Sequence, residues 1–433
     1  MASKKTIIAG AIGNALEMYD YVIWGLFSIY LSKEFLPPSS KLSDLFVLFL
    51  ITYILRPVGA LIGGILADSI GRKKVLTVSI FFMGICTCIV GILPSYERIG
   101  VISVFILLFI RLIQVFAVGS EYISSISLLI ESCDKRKRGY FGSWAAFGVN
   151  AGMLIASLLG TSLLYLMDIH VIPDWGWRLA FMLAFITMLA GFWIRSSLLE
   201  RFEFIMENAR SEKRSFSEVL RHVLEVIKQQ RFDSILVFFL VYFGVATTIL
   251  IFVYAPIHMT TINTFRTTEA FVINSSSLAL LVALVPFFGF VSDRFGRIKT
   301  LSLGVVLLLS SIIPYFNFLS SGTFFQVLCG HVLIAIPCAC IFAVTPVFIT
   351  ELFPLSVRCS TTNLIYSLAA CLGGGVTPLI ALKLGQYGSY FPGLILIVLG
   401  GTSLVLLGFK RERAEKALML VLRSLNTQPH KSV

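Results

Sequence analysis

The chain has 433 residues, of which 57% are hydrophobic and only 13% charged, with a mean hydropathy of +0.90. A soluble domain carries roughly 25% charged residues, so water-soluble folding, disorder and a secreted disulfide scaffold are excluded together. The net charge of +12 would suggest nucleic acid in a soluble protein. Here most of the 35 Lys and Arg fall in loops on one side of a membrane threading, the asymmetry that sets orientation during insertion. The basic balance therefore reports topology, and no nucleic-acid partner is expected.

A spanning helix needs about 20 mostly apolar residues. Segments of that kind are predicted at 6–31, 45–66, 75–93, 101–130, 140–166, 178–195, 233–256, 269–292, 300–319, 323–350, 360–383 and 388–409. Their even number puts both termini on one side, the inside. The first segment is too long for a cleavable signal and carries Glu17 and Asp20. Loops are short except for 196–232. There Ser215 and Glu218 fit a capping box, and Val219, Leu220, Val223, Leu224 and Ile227 keep helical spacing. This predicts an amphipathic linker helix along the inner membrane face, with a protein-docking site as the other reading. The organisation expected is thus an N-terminal six-helix bundle (1–195), a linker (196–232), a C-terminal bundle (233–409) and a basic tail (410–433). The eight cysteines, Cys86, Cys88, Cys338, Cys340 and Cys371 among them, read as small buried hydrophobes. Cys-x-Cys on a helix points its side chains about 200° apart, which does not suit one metal.

An internal repeat joins the two bundles. Gly64-Ile-Leu-Ala-Asp68-Ser-Ile-Gly71-Arg72 returns as Gly289-Phe-Val-Ser-Asp293-Arg-Phe-Gly296-Arg297, each in the loop after the second helix of its half. Glu131 with Arg138 is echoed by Glu351 with Arg358, each pair seven residues apart after a fourth helix.

The run from Gly64 to Lys73 resembles the signature loop of the major facilitator superfamily. The resemblance narrows to its metabolite:proton symporters, which carry small carboxylates or zwitterions such as proline and betaine. It rests on Gly13-Asn-Ala-Leu-Glu17-Met-Tyr-Asp20, Arg56-Pro-Val-Gly59, Arg111-Leu-Ile-Gln114 through Glu121-Tyr122, and Asp174-Trp-Gly-Trp-Arg178. Glu351-Leu-Phe-Pro354 to Arg358 and Gly373-Gly-Gly-Val-Thr-Pro378 complete it. It implies an all-α membrane protein with 12 transmembrane helices in two pseudo-symmetric bundles around a central cavity, working by alternating access. Departures fall on helix 4, where Val115, Ser120, Ile123, Ser124 and Ser125 stand at positions usually glycine, and at Met18, usually aromatic. They reshape the cavity wall.

Five ionisable side chains lie at membrane depth: Glu17, Asp20, Arg56, Arg111 and Glu121. Each costs roughly 2.5–3.5 kcal/mol at a helix centre, so they must face a wet cavity or one another. All are on helices 1, 2 and 4, which the resemblance implies line the cavity. Segments 75–93, 300–319 and 388–409, outer helices in that fold, hold no charge. Glu17 and Asp20 share a helix face, and two like charges so close disfavour joint ionisation. One of them can then hold the coupled proton, or both can pair permanently with Arg56 or Arg111. Arg111, a planar fork matched to a carboxylate, is the expected substrate ligand with Gln114 assisting; the alternative is a fixed partner for Glu17 or Asp20. Arg56 anchors a cavity carboxylate or binds substrate, and Tyr19 is grouped with the substrate residues. Glu121 relays protons or pairs with a loop arginine.

The resemblance gives the loop residues a gating role: Asp68, Arg72, Asp293, Arg297, Glu131, Arg138, Glu351 and Arg358 would latch the cytoplasmic side, with loop stabilisation as the other reading. In the second half, Tyr242, Asn274, His331, Asn363 and Tyr366 are hydrogen-bonding candidates, His331 as a satisfied core histidine or a proton site. The function expected is proton-coupled symport of a small carboxylate or zwitterion across the inner membrane of a bacterial-type cell, by a protein that is not an enzyme. Its partners are the solute, protons and lipid, no cofactor or metal is expected, and a monomer is the expected unit. Export or antiport is the alternative: Gly139, Gly148 and Gly152 have the antiporter spacing, but Met153 stands where its proline belongs.

Overall fold

The computed structural model describes residues 4–40, 42–62, 72–118, 121–131, 133–198, 216–261, 265–354 and 358–426. Among them there are helices and no strands. Over the described residues, each of the expected apolar segments coincides with a helical run. In the first half these are α1 (Lys4–Leu26, extended by Ser28–Phe35), α2 (Leu42–Ile54, resuming at 56–62), α3 (Arg72–Ile92), α4 (described at Val101–Val118 and Glu121–Glu131), α5 (Arg138–Asp168) and α6 (Arg178–Met182 with Ala184–Leu198). The second half has α7 (Arg231–Ile249, carried by a π-helical turn at Leu250–Tyr254 into Ala255–Thr261), α8 (Thr267–Phe295), α9 (Arg297–Ser321) and α10 (Phe324–Glu351). It ends with α11 (Arg358–Ala370, a π-helical turn at Cys371–Val376, then Thr377–Gly385) and α12 (Phe391–Asn426). Among the described residues, eight runs from α5 onward are long and apolar enough to cross a membrane. α12 continues unbroken past residue 410, so the start of the basic tail is an extension of the last helix.

The outward faces are apolar. Phe105 and Phe109 on α4, Ile186 on α6 and Val398 on α12 are each 60–67% exposed. A surface of this kind is suited to lipid and not to water. The linker helix (Phe216–Gln229) packs on the start of α11, and Lys410 at the end of the membrane part of α12 meets Asp233 at 2.7 Å. The start of α7, the end of α10 and the α8–α9 turn share that face, called the linker face below. Gly296 makes the α8–α9 turn with φ of 91°, a left-handed conformation that explains the glycine in the repeated loop.

Close helix approach is built on small residues. A Cβ at Gly148 or Gly152 would run into the carbonyls of Ala11 and Ala15, so α5 lies directly on α1. The antiporter-like glycine spacing is thereby accounted for by packing inside the first bundle and by Gly139, which abuts Gly289 of α8. The halves meet chiefly along α5 and α8, and again where α2 sets Tyr53 on Gly374 and Gly375 of the α11 π-turn. At the end of the first bundle away from the linker face, the Asp174-Trp-Gly-Trp-Arg178 run forms a clamp. Arg178 pairs with Glu34 at 2.6 Å, donates to the Leu93 carbonyl at 2.6 Å, and lies over the Trp177 and Phe35 rings.

Candidate functional site

Helices α1, α2, α4, α5, α7, α10 and α11 wall a cavity of about 170 Å³ where the two halves face each other. Most of its surface is apolar, from residues such as Val22, Leu240, Val245 and Phe342. Among the described side chains of the wall, the charged ones are two cations from the first half, Arg56 and Arg111.

Arg111 is buried, 6% exposed, and its guanidinium lies 4.0 Å over the Trp24 ring of α1. A desolvated cation on an indole face gains about 2 kcal/mol or more, so the ring fixes the fork as it enters the cavity wall. Gln114 sits behind it. Its Oε1 accepts from Arg111 Nη1 at 3.4 Å and its Nε2 donates to Thr87 Oγ1 of α3 at 2.7 Å. Gln114 thus orients Arg111 and is not part of the wall. Asp20 is buried one helical turn before Trp24. Tyr19, fully buried, donates its hydroxyl to the Ala180 carbonyl at 2.6 Å, tying α1 to α6 and lying off the cavity wall. Arg56 follows the break in α2 at Leu55, and its guanidinium is 5.8 Å from the ring centre of Tyr366 in the opposite half. Tyr122 and Tyr366 face each other across the halves with ring centres 5.6 Å apart.

One of the helix 4 departures, Ser125, has partners on α1 and α4. Ser125 accepts from Asn14 Nδ2 at 3.0 Å and donates to the Tyr122 carbonyl at 2.7 Å. A hydroxyl in place of a glycine hydrogen thereby joins α4 to α1 at the cavity edge.

On the linker face, polar contacts join the halves. Asp293 accepts from the backbone N–H groups of Gly139 and Tyr140, both at 2.8 Å, at the N-terminal end of α5. The helix dipole and the free N–H groups there favour a carboxylate. Arg297 holds Asp293 at 2.8 Å and Glu351 at 3.3 Å. Glu131 pairs with Arg358 of the other half at 3.4 Å, and Arg138 Nε donates to the Ile130 carbonyl at 3.2 Å. Glu131 and Glu351 therefore do not use the arginines seven residues on; one bridges the halves and the other braces Arg297. Asp68 and the side chains of Arg72, Glu17 and Glu121 lie outside the described residues, as does Ser215.

His331 is a satisfied core histidine. Its Nδ1 meets the Tyr315 hydroxyl at 2.8 Å and its Nε2 meets Asn274 Oδ1 at 3.3 Å, and Asn274 Nδ2 donates to Ser157 Oγ at 3.3 Å. Ser157 and Ser275 share a hydrogen bond of 2.8 Å across the α5–α8 seam. Sequence spacing picked out His331 and Asn274 but not the hydroxyls of Ser157 and Ser275, which look like ordinary small residues of apolar helices.

The model of the Major Facilitator Superfamily matches residues 10–272 and 236–418. The chain belongs to this superfamily. As a facilitator it is a secondary transporter and a multi-pass membrane protein, not an enzyme. It is similar to the glycine betaine/proline/ectoine/pipecolic acid transporter of Dickeya dadantii, 28% identical over 432 residues, covering 96% of this chain and 84% of that one. It is also similar to the proline/betaine transporter of Escherichia coli, 28% identical over 385 residues, covering 87% and 77%. The facilitator's fold matches a D-xylose-proton symporter structure with a TM-score of 0.70 at 16% identity, covering 94% and 96% of the two chains. These relatives agree with the narrower resemblance to metabolite:proton symporters.

Proposed function

We propose that this facilitator couples protons to the uptake of a small zwitterion bearing a carboxylate. The reading rests on Arg56 and Arg111, two guanidiniums set in an otherwise apolar wall between the halves. A planar cation in a desolvated wall is matched to a carboxylate and poorly matched to a neutral sugar or a cation. The faces of Tyr122, Tyr366 and Phe342, all in the wall, suit the cationic end of such a solute. Proline and betaine, which the relatives' names give, have this chemistry.

In this reading Arg111 and Arg56 hold the carboxylate, and Gln114 and Trp24 keep Arg111 in place. Asp20, with Glu17 and Glu121, supplies the proton-binding carboxylates, the acids that the sequence puts at membrane depth in the half that carries the arginines. The Asp293, Arg297, Glu351, Glu131 and Arg358 contacts keep the linker face shut, and Asp68 and Arg72 are the counterparts in the first half. The linker face is cytoplasmic, with both termini on it, in a bacterial inner membrane.

The test is uptake into proteoliposomes with an imposed pH gradient, offering proline, betaine, citrate, α-ketoglutarate and shikimate. The reading expects uptake of proline or betaine that is accelerated by an inward proton gradient. Uptake indifferent to the gradient would sink the coupling, and preference for citrate or shikimate would sink the zwitterion.

A further inference from the structure

The second half contributes no charged side chain to the described cavity wall, yet it holds one polar group that its own helix does not use. Thr345 lies in the wall on α10, 8% exposed, and its hydroxyl oxygen is buried with no hydrogen-bond partner among the described residues. Threonines in helices ordinarily donate back to the carbonyl four residues earlier. Thr248, the other threonine of the wall, does so to Gly244 at 3.1 Å, as do Thr247 to Phe243 at 2.7 Å and Thr350 to Pro346 at 2.7 Å. Thr345 does not. A buried hydroxyl left without a partner costs about 1–3 kcal/mol, a cost that a bound solute would remove.

The next residue adds a second acceptor. Pro346 has no N–H to give to the Phe342 carbonyl one turn back, and both residues line the cavity beside Thr345. One turn of α10 thus gathers a hydroxyl and a carbonyl deprived of its usual helical donor, opposite the guanidiniums of the first half. Two oxygen acceptors on an uncharged wall suit an N–H donor that carries positive charge.

We infer that Thr345 is a specificity-determining residue that accepts a hydrogen bond from an N–H-bearing ammonium group of the solute, with the carboxylate on the arginines. The inference rests on the zwitterion reading of the cavity and deepens it. A solute held at both ends would span the two halves, and the bond would be lost to a fully N-methylated ammonium, which has no N–H to donate. Thr345 therefore sets the preference for amine over quaternary ammonium, while aromatic faces serve both.

The experiment compares proteoliposome uptake of proline and N,N-dimethylproline, which share ring and carboxylate, by the wild type, Thr345→Val and Thr345→Ser. Valine keeps the shape and removes the hydroxyl; serine keeps the hydroxyl. The expected result is a half-saturation concentration for proline raised about tenfold in the valine variant, the scale of one lost hydrogen bond, with serine near wild type. N,N-dimethylproline should change less than about twofold in either variant. Equal shifts for both solutes in T345V, or none for either, overturn the inference, as does a wild type that carries the dimethylated solute alone. A wild type that carries proline alone leaves the comparison of T345V with T345S, and equal uptake by the two overturns it. A wild type that carries neither overturns the zwitterion reading itself, and the inference with it.

Discussion

Replacing Asp293 by Asn is the sharpest probe of the linker-face contacts. The carboxylate accepts from Gly139 N–H and Tyr140 N–H at 2.8 Å each and from Arg297 Nη1 at 2.8 Å. An amide has one acceptor oxygen, so one of the two backbone bonds and the ion pair with Arg297 are lost. A hydrogen bond to a charged group contributes about 1.5–3 kcal/mol and the helix terminus about 0.3–1 more, so the closed linker face should lose about 2–4 kcal/mol. That is roughly a thirty- to thousandfold shift of the equilibrium toward opening. Cys359 reports it. Its thiol sits 3.2 Å from Ser127 of the other half, so it is covered by the same closure. With the other cysteines replaced by serine, a membrane-impermeant maleimide applied from the linker face should label Cys359 at least about tenfold faster in D293N, as that shift requires. Labelling at the unsubstituted rate, in a variant that melts within a few degrees of its parent, would refute the latch.

Arg111→Lys should cut uptake of carboxylate solutes by about tenfold or more, because lysine keeps the charge but loses the fork and most of the stacking on Trp24; initial-rate uptake checks it. Gly152→Ala should lower the melting temperature in detergent, since its Cβ meets the Ala15 carbonyl and overpacking costs about 1–3 kcal/mol, whereas Gly401→Ala, with open space around it, should not. Glu131→Arg and Arg358→Glu should each slow transport and together restore it in part. Glu131 is about a third exposed, so the pair is worth only about 1 kcal/mol or less and the effect should be several-fold at most. Wild-type rates in both single variants would remove that pair from the gate.

The helices were legible because bilayer length and apolarity are properties of short windows, and the repeat at Gly289–Arg297 falls on the α8–α9 turn, where Asp293 meets the N-terminal end of α5. What windows do not carry is which arginine a glutamate meets. Glu131 and Arg138 are close in sequence, yet Glu131 reaches Arg358 in the other half, because the fourth helix of one bundle ends against the fifth of the other. Gln114 and Tyr19 were expected at the solute for the same reason: their helix positions are right, but their side chains turn to Thr87 on α3 and Ala180 on α6. A polar residue on a membrane helix has two ways to be satisfied, by the cavity or by a neighbouring helix, and spacing along one helix does not choose between them. Thr345 was invisible for a different reason, since a threonine usually bonds to its own helix and only the three-dimensional arrangement reveals one that does not.

The two halves divide the work by chemistry. The first half brings fixed charge to the cavity, Arg56 and Arg111, and has Asp20 buried on α1. The second brings π-helical turns at Leu250–Tyr254 and Cys371–Val376, a proline in α10 beside the cavity, and hydroxyls without charge. Irregular helical turns are cheap to rearrange, whereas a guanidinium stacked on Trp24 and braced by Gln114 is not. Tyr53 of the first half rests on Gly374 and Gly375 within one of those turns, so the cavity wall of α11 and a contact between the halves share the same residues. Under the proposed function, a rigid charged half would fix one end of the solute and an adaptable half would close on the other, making occupancy and closure a single event.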